Sequence, residues 1–317
     1  MLLLLACAGP SDDSAGPPTC TASGPMDGEL TVADVQAIGT HNSYHVEPDE
    51  VLDASHAYTQ PALDVQADLG VRAFELDVHR AEDGTFLVFH LPTIDPESTC
   101  PTLGDCLGVL RTWSLAHPCH APFIVWIEPK DDLDEMVDGL TTLEGHMTEL
   151  DAAVTEAWPA AAMIQPDEVI GVGWPALAES RGKLIVALLD SGDLRAEYLA
   201  GAPALEGRAL FVDADTGSDS FAAAFKIDDA AGEAKQVGKL VSAGFLVTSN
   251  VDSAADDDAT NQATFDAALA AGPSHLASDQ VQPVEGSDYV AELPGGSPRC
   301  NPARVPAGCG PADLEPE

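Results

Sequence analysis

Residues 72–78 read Arg72-Ala73-Phe74-Glu75-Leu76-Asp77-Val78. Phe74, Leu76 and Val78 alternate with Glu75 and Asp77, so on a strand the apolar side chains share one face and both carboxylates share the other. Two like charges buried on one face are costly unless a cation neutralises them. After the run come His79, a turn signal at Asp83-Gly84, and a return run Phe86-Leu87-Val88-Phe89 that closes on His90. In a barrel strand the acid-bearing face points inward at the rim, and a metal ion is the natural reason for it.

Working outward, the strand candidates are Val35–Gly39, Arg72–Val78, Thr85–Phe89, Phe123–Ile127, Lys183–Leu189, Ala209–Val212, Phe245–Thr248 and His275–Ala277, with a poorly defined one near Ala161–Gly171. Helical stretches such as Leu103–Ala116, Leu133–Trp158 and Ala259–Ala271 lie between them. This alternation indicates βαβ units and a parallel sheet. About eight strands in 317 residues predict an α/β fold, a (β/α)8 TIM-like barrel, which needs roughly 250 residues. No Gly-x-Gly-x-x-Gly opens a helix after the first strand, which argues against an open dinucleotide-binding sheet. The expected organisation is a signal and linker over 1–24, the barrel over 25–293, and an irregular cysteine-containing tail over 294–317.

The formal net charge is −40, from 53 acidic and 13 basic residues. Such a surface repels nucleic acid and anionic bilayers, so no nucleic-acid partner is expected. No apolar run approaches the roughly 20 residues of a spanning helix. The start, Met1-Leu2-Leu3-Leu4-Leu5-Ala6-Cys7, runs into a Pro/Gly/Ser-rich linker. It looks like a lipoprotein signal: an exported monomer, anchored at a bacterial cell envelope through lipidated Cys7, or secreted. Six further cysteines suggest up to three disulfides. Cys100–Cys106 and Cys300–Cys309 are read as local loop clamps, leaving Cys20–Cys119.

Reactive groups of a barrel gather where strands end. The first candidate strand ends Ile38-Gly39-Thr40-His41-Asn42-Ser43-Tyr44, the second on Glu75 and Asp77, its return run on His90, and another on Glu128-Pro129-Lys130. Asn42, Glu75, Asp77 and Glu128 are hard oxygen donors suited to Ca²⁺ or Mg²⁺. His41 and His90 exchange protons near neutral pH, and Lys130 can bind a phosphate oxygen. Together they imply attack on a phosphodiester. His45, His56, His117, His120, His146 and His275 show no constellation in the sequence, and His79 is read as a loop residue. Asp252 and Asp256-Asp257-Asp258 lack an EF-hand glycine and glutamate, and are read as solvated loop.

These residues resemble the X-region of Ca²⁺-dependent phosphatidylinositol-specific phospholipases C, particularly the single-domain bacterial branch. Gly39-Thr40-His41-Asn42-Ser43-Tyr44, Glu75-Leu76-Asp77, Phe89-His90 and Glu128 carry the resemblance from about Val32 to Lys130, and Arg299-Cys300-Asn301-Pro302 extends it. It implies a barrel, Ca²⁺ held by Asn42, Glu75, Asp77 and Glu128, and acid/base roles for His41 and His90. The implied reaction is attack by the inositol 2-hydroxyl, giving diacylglycerol and a cyclic inositol phosphate. His41 would stand beside metal and phosphoryl group, and His90 would protonate the leaving group. The residue that takes the hydroxyl proton stays open among the two histidines and Glu128. Where the bacterial branch has an Arg-Thr-Arg-like run, this chain has Val247-Thr248-Ser249-Asn250-Val251-Asp252, without a basic residue. The alternatives are a glycerophosphodiesterase, whose usual His-Arg-Gly is here His41-Asn42-Ser43, and a cation-binding surface lipoprotein without turnover.

Overall fold

The computed structural model describes residues 19–131 and 137–317; Cys7 and its signal-like segment lie outside the described residues. In chain order the strands are β1 (Val35–Thr40), β2 (Val71–Ala81), β3 (Phe86–Val88), β4 (Phe123–Pro129), β5 (Leu140–Thr141), β6 (Leu184–Leu188), β7 (Phe211–Val212), β8 (Ala224–Lys226), β9 (Leu246–Asn250), β10 (His275–Ser278) and β11 (Arg299–Cys300).

Eight of these run parallel in the order β7-β6-β4-β2-β1-β10-β9-β8. The remaining gap, between β7 and β8, is spanned by the parallel bridge Asp213↔Ala224 and by the Lys226 N–H donating to Asp213 Oδ1 at 2.8 Å. The result is a nearly closed eight-stranded barrel. Helices such as Leu103–Ala116, Met147–Ala157, Ala234–Ser242 and Asp258–Ala271 connect the strands.

The alternation in residues 72–78 sorts as the pleat requires. Phe74, Leu76 and Val78 join the large apolar layer that also holds Leu107, Leu110, Leu150 and Phe265 from the helices. Ala73, Ile124, Trp126, Ile185, Ala187, Phe211 and Leu246 fill a second cluster, contributed by successive barrel strands. Glu75, Asp77 and Glu128 continue that inward set toward the carboxyl ends of their strands.

Membership of the eight differs from the sequence reading. Thr85–Phe89 contributes β3, which pairs antiparallel with β2 and stands off the ring. Its place is taken by β8, only three residues long, too short to show a period. The stretch near Ala161–Gly171 forms no strand, but a 3-10 turn at Ala160–Ala162 and a short helix Pro166–Val169. Of the helix expected over Leu133–Trp158, residues 133–136 lie outside the described residues, and the described part is an α-helix over Met147–Ala157. Gly139 and Gly145 sit at φ +92° and +83°, where a right-handed helix cannot pass. Leu140 and Thr141 between them pair instead with Arg80 and Ala81.

The described cysteines pair as read: Cys20–Cys119, Cys100–Cys106 and Cys300–Cys309. The tail is tied to the opposite end of the barrel from the acids. β11 pairs antiparallel with Val35 and Gln36 at the start of β1, and Glu315 accepts both Arg72 Nε and Nη2, at 2.7 and 2.8 Å. Closing the amino-terminal end of the strands is a stability task and leaves the other rim open. Removing the Cys20–Cys119 bridge, which closes a loop of 99 residues, is expected to cost about 2–4 kcal/mol in urea unfolding. The six-residue Cys100–Cys106 loop should cost less.

Candidate active site

The first strand delivers His41 and Asn42 through a strapped turn. The Ser43 N–H donates to the Glu75 carbonyl at 2.9 Å, and the Glu75 N–H donates to Ser43 Oγ at 2.8 Å. Asn42 takes a left-handed φ of +41°, which asparagine tolerates better than most residues. At Gly39 a Cβ would stand 2.9 Å from the Ala73 Cβ, so the close approach of β1 to β2 depends on glycine there.

On the neighbouring strands the parallel register sets Asp77 directly beside Glu128. Oxygens of Glu75, Asp77 and Glu128 lie within 4.8 Å of one another. Asp77 is fully buried; its Oδ1 has no hydrogen-bond partner among the described residues, and its Oδ2 faces the Lys130 ammonium. Burial, and then the Glu128 charge, push the Asp77 carboxyl up to about 8 despite Lys130. Lys130 reaches both acids, with Nζ 2.6 Å from Glu128 Oε1 and 3.0 Å from Asp77 Oδ2. Its position on the acids is the simple pairing that competes with a phosphate-binding role. Asn42 is buried and lines the adjoining cavity, its Oδ1 accepting from the Tyr44 hydroxyl at 3.4 Å.

Both histidines reach one cavity of about 240 Å³, lined by His41, Asn42, Tyr58, His90, Asn250 and Asp252, among others. His41 also lines a second opening of about 390 Å³ with Glu75, Glu128, Asp190, Asp213, Lys226 and Asp228. Its Nδ1 lies 2.8 Å from Asp279 Oδ1 and its Nε2 lies 3.6 Å from Glu75 Oε1. Burial opposes the charged ring, but the carboxylates of Asp279 and Glu75 outweigh it and raise His41 to about 9. His90 is the reverse. Burial pulls it down to about 4, although its Nδ1 lies 2.8 Å from Asp95 Oδ2.

Three groups were missed in the sequence. Lys226, at the end of β8, pairs with Glu75 through a short contact between Nζ and Oε2. Burial works against Glu75 ionising, yet Lys226 and His41 hold its carboxyl below the usual range. Asp279 follows β10 and orients His41; an acidic residue two positions past the candidate strand His275–Ala277 was the available signal. Asp252, read as loop, instead accepts the Asp279 N–H at 2.7 Å and the Tyr289 hydroxyl at 2.7 Å. The neighbouring Asp257 and Asp258 cap helix and loop N–H groups, as solvated loop acids do. His45 and His56 do enter a constellation, with His90 around Asp95. Their loops meet only in the fold. His79 is buried, stacked on Phe89 with ring centroids 3.9 Å apart.

The acid trio fits a hard divalent cation. Three carboxylates converge within ligand-sharing distance, and the most buried of them keeps an oxygen, Asp77 Oδ1, without a hydrogen-bond partner. Among the described residues, the Lys130 and Lys226 ammoniums and the His41 ring offset them, which is weaker compensation than a +2 ion at the centre.

A family model described as Ca²⁺-dependent phosphoinositide phospholipase C matches residues 81–302. That span takes in His90, Glu128 and Lys130; His41, Asn42, Glu75 and Asp77 lie just upstream of it. No curated protein matches at a significant level. Among solved structures, a calcium-dependent phosphoinositol-specific phospholipase C from Pseudomonas sp. superposes with a TM-score of 0.57 at 16% identity, covering 84% of this chain and 96% of its own. The Ca²⁺-dependent phosphatidylinositol-specific enzyme of Streptomyces antibioticus gives 0.57 at 20% identity, over 79% of this chain and 95% of that one. A Staphylococcus aureus phosphatidylinositol-specific phospholipase C variant gives 0.54 at 15%, over 84% and 94%. These likenesses establish the TIM-like barrel, and the family match over most of the chain establishes the rest: the chain belongs to the Ca²⁺-dependent phosphoinositide phospholipases C, a family of phosphoric diester hydrolases.

Proposed function

We propose that this enzyme cleaves phosphatidylinositol-type lipids to diacylglycerol and a cyclic inositol phosphate, with His41 and His90 moving the protons. The observation that carries the reading is the convergence of both imidazoles on one cavity, with His41 reaching across to the acid trio. Glu75, Asp77 and Glu128, with Asn42 beside them, would hold the Ca²⁺. A Ca²⁺ held by these residues would supply Lewis-acid stabilisation of developing negative charge and a lowered hydroxyl pKa.

The resting charges fit this division once the site is loaded. Committing Glu75 to a cation removes one of the two carboxylate pulls on His41 and lowers the ring's raised pKa, the other and larger pull coming from Asp279. Asp279 then keeps the ring oriented, so that His41 takes the hydroxyl proton. His90 rests neutral, and an anionic phosphodiester entering beside it favours its protonated form. It then donates to the leaving alkoxide. Asp279 and Asp95 act as positioning residues for the two rings. Export to an oxidising compartment belongs to the same reading and is supported by three disulfides.

The wide opening is lined by Glu75, Glu128, Asp190, Asp213 and Asp228. Acids accept hydrogen bonds from inositol hydroxyls and repel further phosphates, which favours phosphatidylinositol over its ring-phosphorylated forms. The test is phosphate-ester release from vesicles of phosphatidylinositol and of its bisphosphate, with Ca²⁺ and with EDTA. Turnover of phosphatidylinositol that needs Ca²⁺, with at least tenfold less from the bisphosphate, is the expected result. Equal turnover of both lipids removes the headgroup reading, and full activity in EDTA removes the metal.

A further inference from the structure

At the barrel mouth three imidazoles face a single carboxylate oxygen. His45 Nε2 and His90 Nδ1 each lie 2.8 Å from Asp95 Oδ2, and His56 Nδ1 lies 3.7 Å from the same atom. They come from three loop segments: the turn after β1, the short 3-10 turn Ala54–His56, and the stretch after β3. Asp95 and His45 are completely buried. Two polar atoms of the cluster, Asp95 Oδ1 and His56 Nδ1, are buried with no hydrogen-bond partner. Leaving such atoms unmatched is costly, and they mark a place built to receive something.

The donor set says what. The ligand atoms of His45, His90 and Asp95 lie within 4.8 Å of one another. Atoms around a tetrahedral ion bound at about 2.0–2.1 Å are separated by roughly 3.4 Å, and the 2.8–3.7 Å spacings here bracket that value. Three imidazoles and one carboxylate suit a borderline transition ion and not Ca²⁺, which takes six or more oxygens. The outer shell is already in place. His45 Nδ1 is 3.0 Å from the Tyr58 carbonyl oxygen and the ring stacks on Tyr58 with centroids 4.3 Å apart, so the ring is oriented as a metal-bound histidine usually is. The His56 and His90 rings stand edge-on at 4.8 Å.

We infer that His45, His56, His90 and Asp95 form a second cation site, separate from the oxygen trio, for a divalent transition ion of the Zn²⁺ class. The site is independent of the phosphodiesterase reading; its consequence for turnover rests on that reading. A ring ligated through Nδ1 carries its one hydrogen on Nε2 and resists taking a second. His90 held in that way cannot protonate a leaving group, so occupancy arrests the enzyme even with its Ca²⁺ in place.

The experiment titrates Zn²⁺ into the full chain under saturating Ca²⁺, counts bound ions against a chromophoric chelator, and repeats the titration with Co²⁺ while recording visible absorption. One ion per chain is expected, with the strong d–d bands of four-coordinate Co²⁺. His56→Ala, chosen because His56 Nδ1 makes no hydrogen bond, should weaken binding at least tenfold, and Asp95→Asn should do so too. Glu128→Gln should not. Circular dichroism and Tm check that each variant is folded. No Zn²⁺ bound under saturating Ca²⁺, or equal affinity in folded His56→Ala, overturns the site. Binding without loss of turnover keeps the site and removes His90 as the leaving-group acid. A chain inactive on every phosphodiester still leaves the binding result decisive.

Discussion

His41→Ala and His90→Ala are each expected to lower kcat for inositol phosphate release by about 10²–10⁴-fold, the usual contribution of a positioned proton-transfer group. The physical reason differs between them. Without His41, Asp279 keeps its bond from the Ala254 N–H but has no ring to orient, and the cavity loses the imidazole 3.6 Å from Glu75 Oε1. Without His90, the alkoxide leaves unprotonated. Because the two rings serve one reaction, the double variant should fall well short of the product of the single losses. Ca²⁺ affinity should hold in both, since neither removes an oxygen donor. Steady-state kinetics with a parallel Ca²⁺ titration checks this. Either variant within tenfold of the parent kcat loses its role as a proton carrier, and a parallel loss of Ca²⁺ binding assigns the effect to the metal site.

Asp77→Asn should abolish high-affinity Ca²⁺ binding and activity while making the metal-free protein more stable at pH 8. Asp77 has a folded-state pKa of about 8 against an ordinary 3.8, because burial and Glu128 disfavour its charge. Between those values the folded state holds a proton that the unfolded chain has lost. Stability in EDTA therefore falls as pH rises from about 4 to about 8 and levels off above that. Asparagine carries no charge to desolvate, so the variant loses this slope at the cost of the Lys130 contact. A difference on the order of a few kcal/mol at pH 8, shrinking toward zero near pH 4, is the expected size. Saturating Ca²⁺ should reverse the ranking, since only the parent binds the ion. Thermal unfolding of both proteins from pH 5 to 9, in EDTA and in Ca²⁺, reads all four curves. A parent whose metal-free stability rises from pH 5 to 8, or a variant that still gains from Ca²⁺, contradicts the placement of Asp77 at the centre of the site.

Much of the site was legible because its signals are local. Period-two alternation put Glu75 and Asp77 on one face, and the barrel rule directed attention to residues where apolar strands end, which picked out His41, His90 and Glu128. Two strand assignments went astray for equally local reasons. β3 has a strand's composition but folds back as a hairpin, and β8 is too short to show any pattern, so Lys226 at its end went unnoticed. Within the helical composition of Leu133 to Trp158, two glycines in left-handed φ break the described stretch before the helix Met147–Ala157.

The sequence by itself determined the chemistry available: which oxygen donors and which imidazoles exist, and that strand alternation turns the acids inward. Tertiary structure decided the partnerships. His41 meets Asp279 across 238 residues and Glu75 meets Lys226 across 151, because barrel closure brings opposite ends of the chain to one rim. It also gathered His45 and His56, which show no constellation in the sequence, with His90 onto Asp95. The strength and sign of a buried charge depend on its neighbours' distances, and those distances exist only once the ring of strands has closed.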